Sequence, residues 1–584
     1  MLYPVQNSVR NTLELSGIWD FRPDPDEVGE REGWFRGLAD ARPIAVPGSW
    51  NEQYEDLYNY LGLAWYVRRT FVPGSWRGER VFLRVGSANY FAAVYVNGVR
   101  VGTHEGGHLP FAFEVTEHLR WDDENVIAVS VENHLEPTRV PSGNIPSAIG
   151  GFASFPRTTF DFFPFAGLHR PVLLYTVPQN YIEDVTVVTG ISGADGTVEV
   201  RVKVCGDAGG GRATLTGGDA PVVADLSFSG GDARTTLTLP NARLWSDKDP
   251  YLYTLTVTTG SDRYSLQVGV RTVAVEGGRI LLNGEPVKLN GFGRHEDFPA
   301  SGKGLNLPLM VKDYALMRWT GANSYRTSHY PYSEEEMQLA DREGFLIIDE
   351  IPAVSLQFDN EANVAERLRM CEQQVDELVA RDKNHPSVVM WCVANEPMPQ
   401  NLDLAGAGAT DRGEDPSEAP GKAFLETLLK RARDLDPTRL VTVVTLMGGP
   451  ESWMDGCDVV CMNRYWGWYV LGGQLQEARA ALERELDGVW ERQGKPIIMT
   501  EFGADTMSGM HGQPPVMWTE EYQADYIRFH LEEAGKRDYV AGMQVWNFAA
   551  VQSIMRVGGL NMKGVFTRTR TPKMAAHVLR EFWR

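Results

Sequence analysis

The chain has 584 residues, too many for one domain, and three or four domains are expected. Its apolar fraction of 43% and charged fraction of 23% are those of an ordinary globular protein, which argues against disorder or collagen-like bias. The formal net charge of -21 favours solubility and argues against binding a nucleic-acid backbone or an anionic membrane surface. An anionic substrate would therefore need positive charge built locally into its site.

Five cysteines, Cys205, Cys371, Cys392, Cys457 and Cys461, are few for this length. Cys457 and Cys461 are four apart, but no Cys or His cluster completes a metal site, so buried free thiols are expected and no metal. The opening Met1-Leu2-Tyr3-Pro4-Val5-Gln6 lacks a basic segment followed by an apolar one, and no run of about 18 apolar residues occurs. A reducing, cytoplasmic setting is the expectation.

Residues 1–178 read as all-β. Strand-like runs Gly62–Phe71, Arg80–Val85 and Ala92–Val96 recur with turns between them, and Asn97-Gly98 predicts a type I′ hairpin because both residues tolerate positive φ. Many short strands with interleaved aromatics predict a sandwich or jelly roll, either sugar-binding or a scaffold. Residues 179–272 continue as β, with alternating runs Val185–Val188, Val198–Val202 and Tyr251–Val257 and glycine-rich turns. About ninety residues of this kind predict an immunoglobulin-like sandwich acting as a spacer.

From 273 to 584 strands alternate with helices, the signature of a parallel sheet. Strands are predicted at Val287–Asn290, Ser324–Thr327, Phe345–Asp349, Val388–Val393, Leu440–Thr445, Val459–Met462, Pro496–Thr500 and Met543–Trp546. Helices are predicted at Ser333–Arg342, Lys422–Leu435, Gly473–Arg492, Thr519–Glu533 and Pro572–Arg584. Eight strands in about 310 residues predict a (β/α)8 TIM barrel, whose strand ends converge on one mouth. Those ends carry Arg294, His295, His329, Asp349, Asn395, Glu396, Asn463, Tyr465, Glu501, Trp546 and Asn547.

Two of these ends share one grammar. The apolar run Val388–Ala394 stops at Asn395-Glu396-Pro397, and Pro496–Thr500 stops at Glu501-Phe502-Gly503. A carboxylate at the carboxyl end of a barrel strand is where such enzymes keep their chemistry; the bland alternative is a salt-bridged surface glutamate. Two carboxyl groups across a mouth are what glycoside hydrolysis requires. A separation of about 5–5.5 Å gives retention and about 6.5–9.5 Å gives inversion.

The motifs around this pair resemble the β-glucuronidases of glycoside hydrolase family two, and they span the whole chain. They include Ser87–Phe91 with Tyr95–Gly98, Asp161–Phe163 with Gly167–Arg170, Gly291–Asp297, Asn323–Pro331 and Asp382–Ser387. Asn395–Pro397, Asn463–Tyr465 with Gly467–Tyr469, Thr500–Gly503 and Val545–Phe548 complete the set. The resemblance implies retaining, double-displacement hydrolysis of β-D-glucuronides to D-glucuronate and an alcohol, with no cofactor. It makes Glu501 the nucleophile, Glu396 the acid/base and Asn395 the partner of the sugar 2-hydroxyl. It also implies a homo-tetramer or homo-dimer.

Sugar choice in this family rests on C6. Asn561-Met562-Lys563 resembles the family's uronate motif, with Lys563 supplying charge and Asn561 an amide donor, though Leu560 is one residue more than the familiar spacing. Asp161 is either a sugar-hydroxyl partner or an interdomain hydrogen bond, and His329 either touches sugar or sits satisfied in the core. Tyr465, Tyr469 and Trp546 are candidate aromatic walls, and Arg556 a partner of the uronate or of Tyr469. After the third strand Ile351–Asn360 leads quickly into a helix. The Ala/Gly/Asp/Pro-rich stretch Asn401–Gly421 is expected to be a mobile rim on an open aglycone side. The rival readings are a β-galacturonidase or β-galactosidase on the same scaffold, or a non-catalytic carbohydrate-binding protein.

Overall fold

The computed structural model describes residues 1–143, 156–400, 402 and 415–584. In the first region a six-stranded antiparallel sheet is built on Leu63–Val72 and Asp123–Glu132, paired along ten residues. A four-stranded sheet of Thr12–Glu14, Val172–Val177, Arg80–Val85 and Phe111–Glu114 packs on it. Their inward side chains, Phe21, Tyr66, Val94 and Val129 from one sheet and Leu83, Val85, Val172 and Leu174 from the other, form one core. The predicted hairpin is present: Phe91–Val96 pairs with Val99–Glu105, and Asn97 and Gly98 have φ of 50° and 87°.

The second region is a sandwich of three and four antiparallel strands. Alternation puts Val185, Val200 and Leu237 of one sheet against Leu215, Leu255 and Val257 of the other.

The third region is a closed barrel of eight parallel strands. They are β1 (Leu289–Gly293), β2 (Ser324–Arg326), β3 (Leu346–Glu350), β4 (Val388–Asn395), β5 (Leu440–Thr445), β6 (Val460–Asn463), β7 (Ile497–Glu501) and β8 (Val540–Val545). Two expectations shift: β8 runs Val540–Val545 where Met543–Trp546 was expected, and β1 starts later than Val287. Val287 ends a small hairpin sheet, Val273–Glu276, Arg279–Leu282 and Glu285–Val287, and β1 begins after it. That hairpin plugs the amino end of the barrel, where Ile280 and Leu282 pack with Leu289, Leu346 and Val389.

Several helices start where a side-chain cap satisfies a free N–H group. Ser333 caps Glu334–Glu343 and Thr519 caps Glu520–Gly535, each accepting from the backbone N–H three residues on. The expected helix at Lys422 begins earlier, at Ala419, so the end of the Asn401–Gly421 stretch is helical. Residues 401 and 403–414 of that stretch lie outside the described residues.

The first region leans on the carboxyl end of the barrel. Phe160 and Phe162 belong to the same core as Tyr325 and Tyr330 of the barrel. Arg170 Nη2 donates to Glu296 Oε2 at 3.2 Å and to the Pro331 carbonyl at 2.7 Å. All five cysteines are unpaired. Among the described residues no helix is long and apolar enough to cross a membrane, and no group of three His, Cys, Asp or Glu residues could hold a metal ion.

Candidate active site

The ladders slip at two strand ends, between Cys392 and Asn395 on β4 and between Met462 and Asn463 on β6. Such irregularities re-aim side chains next to sites. They turn Asn395, Glu396 and Asn463 toward the end of β7. Glu396 itself has φ of 48°, a left-handed conformation that costs a non-glycine residue about 1–2 kcal/mol. Its N–H is anchored on the Val444 carbonyl at 2.8 Å. Beyond β7, Gly503 lets the chain pass the end of β8: a Cβ there would lie 1.8 Å from the Trp546 carbonyl oxygen.

Glu501 is buried, and each of its oxygens is held. Arg326 Nη2 donates to Oε1 at 2.6 Å, and the Tyr465 hydroxyl donates to Oε2 at 2.6 Å. Glu396 has fewer donors: Asn463 Nδ2 gives it one hydrogen bond of 2.9 Å to Oε1. Asn463 is oriented by Thr500, whose hydroxyl donates to its Oδ1 at 2.9 Å. One amide therefore links Glu396 to the residue preceding Glu501.

Burial first, then the negative charge of Glu396, push the Glu501 carboxyl up to about 8 against the pull of Arg326 and Tyr465. Burial also raises Glu396, opposed by the Asn463 hydrogen bond. The charge of Glu396 acts on Glu501, so the two carboxyls titrate as a pair, and the pair keeps one proton at neutral pH. We place that proton on Glu396. Glu501 takes a cationic donor and a phenol, both of which favour a carboxylate, whereas Glu396 takes a single neutral amide.

Asn395 has its amide orientation fixed. Its Oδ1 accepts from Arg326 Nη1 at 3.1 Å and from Asn463 Nδ2 at 3.3 Å, which turns its Nδ2 to the cleft as a donor. His329 stacks on Trp546 at 5.0 Å between ring centroids and 17° between planes, and its Nε2 lies 3.7 Å from Glu501 Oε1. Both rings are buried beside the carboxyl pair.

The closing loop follows β8. Val551–Gln552 pairs with Leu560–Asn561, and Gly558 and Gly559, with φ of 68° and 71°, make the turn. The additional residue, Leu560, is thus absorbed as a paired strand position opposite Gln552. Lys563 has a fully buried side chain and is ion-paired with Asp505, whose side chain is 3% exposed. Its ammonium lies 4.9 Å from the Tyr469 ring centroid, 5.6 Å from that of Trp468 and 5.8 Å from that of Tyr465. Since Tyr465 bonds Glu501, the lysine and the carboxyl pair share one cleft.

Asp161 comes from the first region and is fully engaged: Ser553 donates to Oδ1 at 2.5 Å, Arg556 Nε to Oδ2 at 2.6 Å and Asn561 Nδ2 to Oδ2 at 3.2 Å. Arg556 also donates to the Tyr469 hydroxyl at 2.6 Å. Tyr469 is 50% exposed, so it forms the rim, whereas Tyr465 is buried inside it.

All eleven predicted residues therefore come together. Four further members received no role from the sequence: Arg326, Glu350, Asn463 and Asp505. The signal available for Arg326 was a charge inside a predicted barrel strand, since a buried charge requires a partner.

Comparison with known proteins agrees with this layout. The model for glycosyl hydrolases family 2, sugar binding domain, matches residues 12–178, and that for glycosyl hydrolases family 2 matches 180–271. The family 2 TIM barrel domain matches 273–584, more than half of the chain. The chain belongs to glycosyl hydrolase family 2. Over its full length this family 2 member is 41% identical to a β-glucuronidase of Paenibacillus borealis, covering 98% of that protein. It is 40% identical to the β-glucuronidase of Canis lupus familiaris, covering 92%. Among solved structures, β-glucuronidase from Ruminococcus gnavus in complex with C6-substituted uronic isofagomine matches with a TM-score of 0.91 at 35% identity, covering 100% of this chain and 99% of that one. An uncultured Clostridium sp. β-glucuronidase matches with a TM-score of 0.90 at 38% identity and the same coverage. Family 2 hydrolases retain anomeric configuration through two displacements.

Proposed function

We propose that the protein hydrolyses β-D-glucuronides to D-glucuronate and an alcohol. In the first step Glu501 attacks the anomeric carbon while the proton on Glu396 passes to the departing glycosidic oxygen, leaving a glycosyl ester on Glu501 and releasing the alcohol. In the second, Glu396, now ionised, takes a proton from water. The water oxygen then displaces Glu501 and restores the starting configuration. Arg326 and Tyr465 hold the attacking carboxylate in one orientation, and Asn395 Nδ2 donates to the 2-hydroxyl as charge develops at C1.

Lys563 and Asn561 take the C6 carboxylate, with Arg556 and Tyr469 closing the rim and Asp161 tying the first region to that loop. His329 contacts a ring hydroxyl, and Trp546 and Tyr465 form the apolar walls. The observation that carries the choice of sugar is the buried ammonium of Lys563, 4.9 Å from Tyr469 and in the same cleft as Glu501. A neutral hydroxymethyl group would leave that charge to Asp505 alone. The same reading divides the chain at 178/179 and 272/273 and makes it a homo-dimer or homo-tetramer. It also sets the protein in a reducing, cytoplasmic milieu, which five unpaired cysteines suit.

Release of p-nitrophenol from its β-D-glucuronide tests this reading, with the galactoside and galacturonide beside it. The glucuronide is expected to exceed the galactoside by at least about 100-fold in kcat/KM. An equal or higher rate on galacturonide would transfer the assignment to that sugar, and no release from any of the three would remove the enzyme.

A further inference from the structure

Behind the carboxyl pair lies a third acid that the two-step reaction does not use. Glu350 ends β3, its side chain has no solvent exposure, and both of its oxygens face groups that touch Glu501. Oε2 accepts from Arg326 Nη1 at 2.6 Å, and Oε1 lies 3.0 Å from His329 Nδ1. The Glu350 N–H is fixed on Thr327 Oγ1 at 2.9 Å.

Counting hydrogens decides where the histidine proton sits. Arg326 Nη1 carries two hydrogens and has three neighbours: Glu350 Oε2 at 2.6 Å, Asn395 Oδ1 at 3.1 Å and His329 Nδ1 at 3.0 Å. The first hydrogen goes to Glu350. If the second went to Nδ1, that nitrogen would be a lone pair facing the Glu350 Oε1 lone pairs at 3.0 Å. The second therefore goes to Asn395, and Nδ1 bears a proton that it gives to Glu350. Burial keeps the imidazole below its ordinary pKa, so the ring is neutral. Although burial favours a protonated Glu350, Arg326 and then His329 outweigh it and hold that carboxyl below its ordinary value.

We propose that Glu350 is a positioning residue that fixes His329 as the neutral Nδ1–H tautomer. Nε2 then offers a lone pair, not a proton, to the cleft. This rests on Glu501 as the nucleophile. With Nε2 only 3.7 Å from Glu501 Oε1, a proton there would draw the nucleophile into a hydrogen bond and blunt it. With a lone pair there, the ring accepts from a sugar hydroxyl and leaves Glu501 to its two existing donors.

The substitution E350Q inverts this arrangement by necessity. Arg326 can only donate, so the amide oxygen must face Arg326 and the amide N–H must face Nδ1. Nδ1 then becomes the acceptor, and the ring proton moves to Nε2.

The test is the tautomer, read on full-length protein labelled with ring-15N histidine, with the His329 resonances assigned by their loss in H329N. The wild type is expected to show a protonated Nδ1 and a bare Nε2. A protonated Nε2 or a doubly protonated ring would overturn the proposal, and this reading needs no variant other than the one used for assignment. In E350Q the pattern is expected to invert, and kcat on p-nitrophenyl β-D-glucuronide to fall at least about tenfold with KM held within about twofold. An unchanged pattern in folded E350Q would refute the role of Glu350. Wild-type protein with the expected tautomer but no glucuronidase activity would sink the functional reading and leave this assignment standing.

Discussion

Replacing Lys563 by glutamine isolates the charge proposed to select an acidic sugar. The ammonium is out of water, with Asp505 as its resident counter-ion. A uronate carboxylate arriving about 4 Å away gains about 4 kcal/mol at an effective dielectric constant of about 20. Asp505, about 6–7 Å from the same carboxylate, opposes it by about 2.5 kcal/mol. K563Q removes the first term and keeps the second. The expected loss is about 10^3-fold in kcat/KM for p-nitrophenyl β-D-glucuronide, at 1.4 kcal/mol per factor of ten. On the corresponding β-D-glucoside, neutral at C6, the change is expected to stay within about tenfold. Adding D505N to K563Q removes the remaining repulsion and should return about 2 kcal/mol, between ten- and a hundredfold, on the glucuronide alone.

Destabilisation is the competing explanation, because K563Q strands a buried carboxylate at a cost of about 3–5 kcal/mol. The two-substrate ratio answers it, since both rates come from the same folded fraction. Equal losses on glucuronide and glucoside would refute the reasoning, as would a glucuronide rate unmoved by K563Q.

Two further outcomes follow from the same charges. Burial raises the Glu396 carboxyl above its ordinary value, so kcat/KM is expected to fall as pH rises and this acid is lost. In E396Q that basic limb should vanish, and 2,4-dinitrophenyl glucuronide, whose leaving group needs no proton, should still form the glycosyl-enzyme; a limb surviving in E396Q would place the proton elsewhere. Ionic strength separates short-range from long-range attraction. With a net charge of -21 over the whole chain and paired cations in the cleft, kcat/KM for the glucuronide should hold or rise between about 0.02 and 0.5 M salt, and a fall beyond about threefold would mean that an unpaired cationic field steers the substrate.

What the sequence reveals and what it hides divide along a physical line. The barrel was legible because most of its strands are short apolar runs ended by polar residues, and Val388–Ala394 is buried throughout. β1 was placed too early because Val287 ends a hairpin strand that pairs with Arg279–Leu282 on the barrel floor, only two residues before Leu289. The two glutamates and Lys563 were legible because each sits in a motif at the end of its own segment. Arg326 was not. Its acceptors Glu350, Asn395 and Glu501 are 24, 69 and 175 residues away, and only barrel closure makes them neighbours.

The same line explains how an acidic protein handles an acidic sugar. Among the described residues the cations of this cleft are paired: Lys563 with Asp505, Arg556 with Asp161, and Arg326 with Glu350 and Glu501. Each cation is therefore oriented before substrate arrives, and no bare charge is left buried. On the proposed reading these cations are offset by the carboxylates beside them and draw no anion from afar, so the sugar carboxylate is recognised on contact with Lys563. Discrimination of that kind depends on the acids as much as on the bases. Removing Asp505 alone should tighten binding of any anion while weakening the preference for one whose carboxylate lies at C6, because the lysine would no longer be aimed.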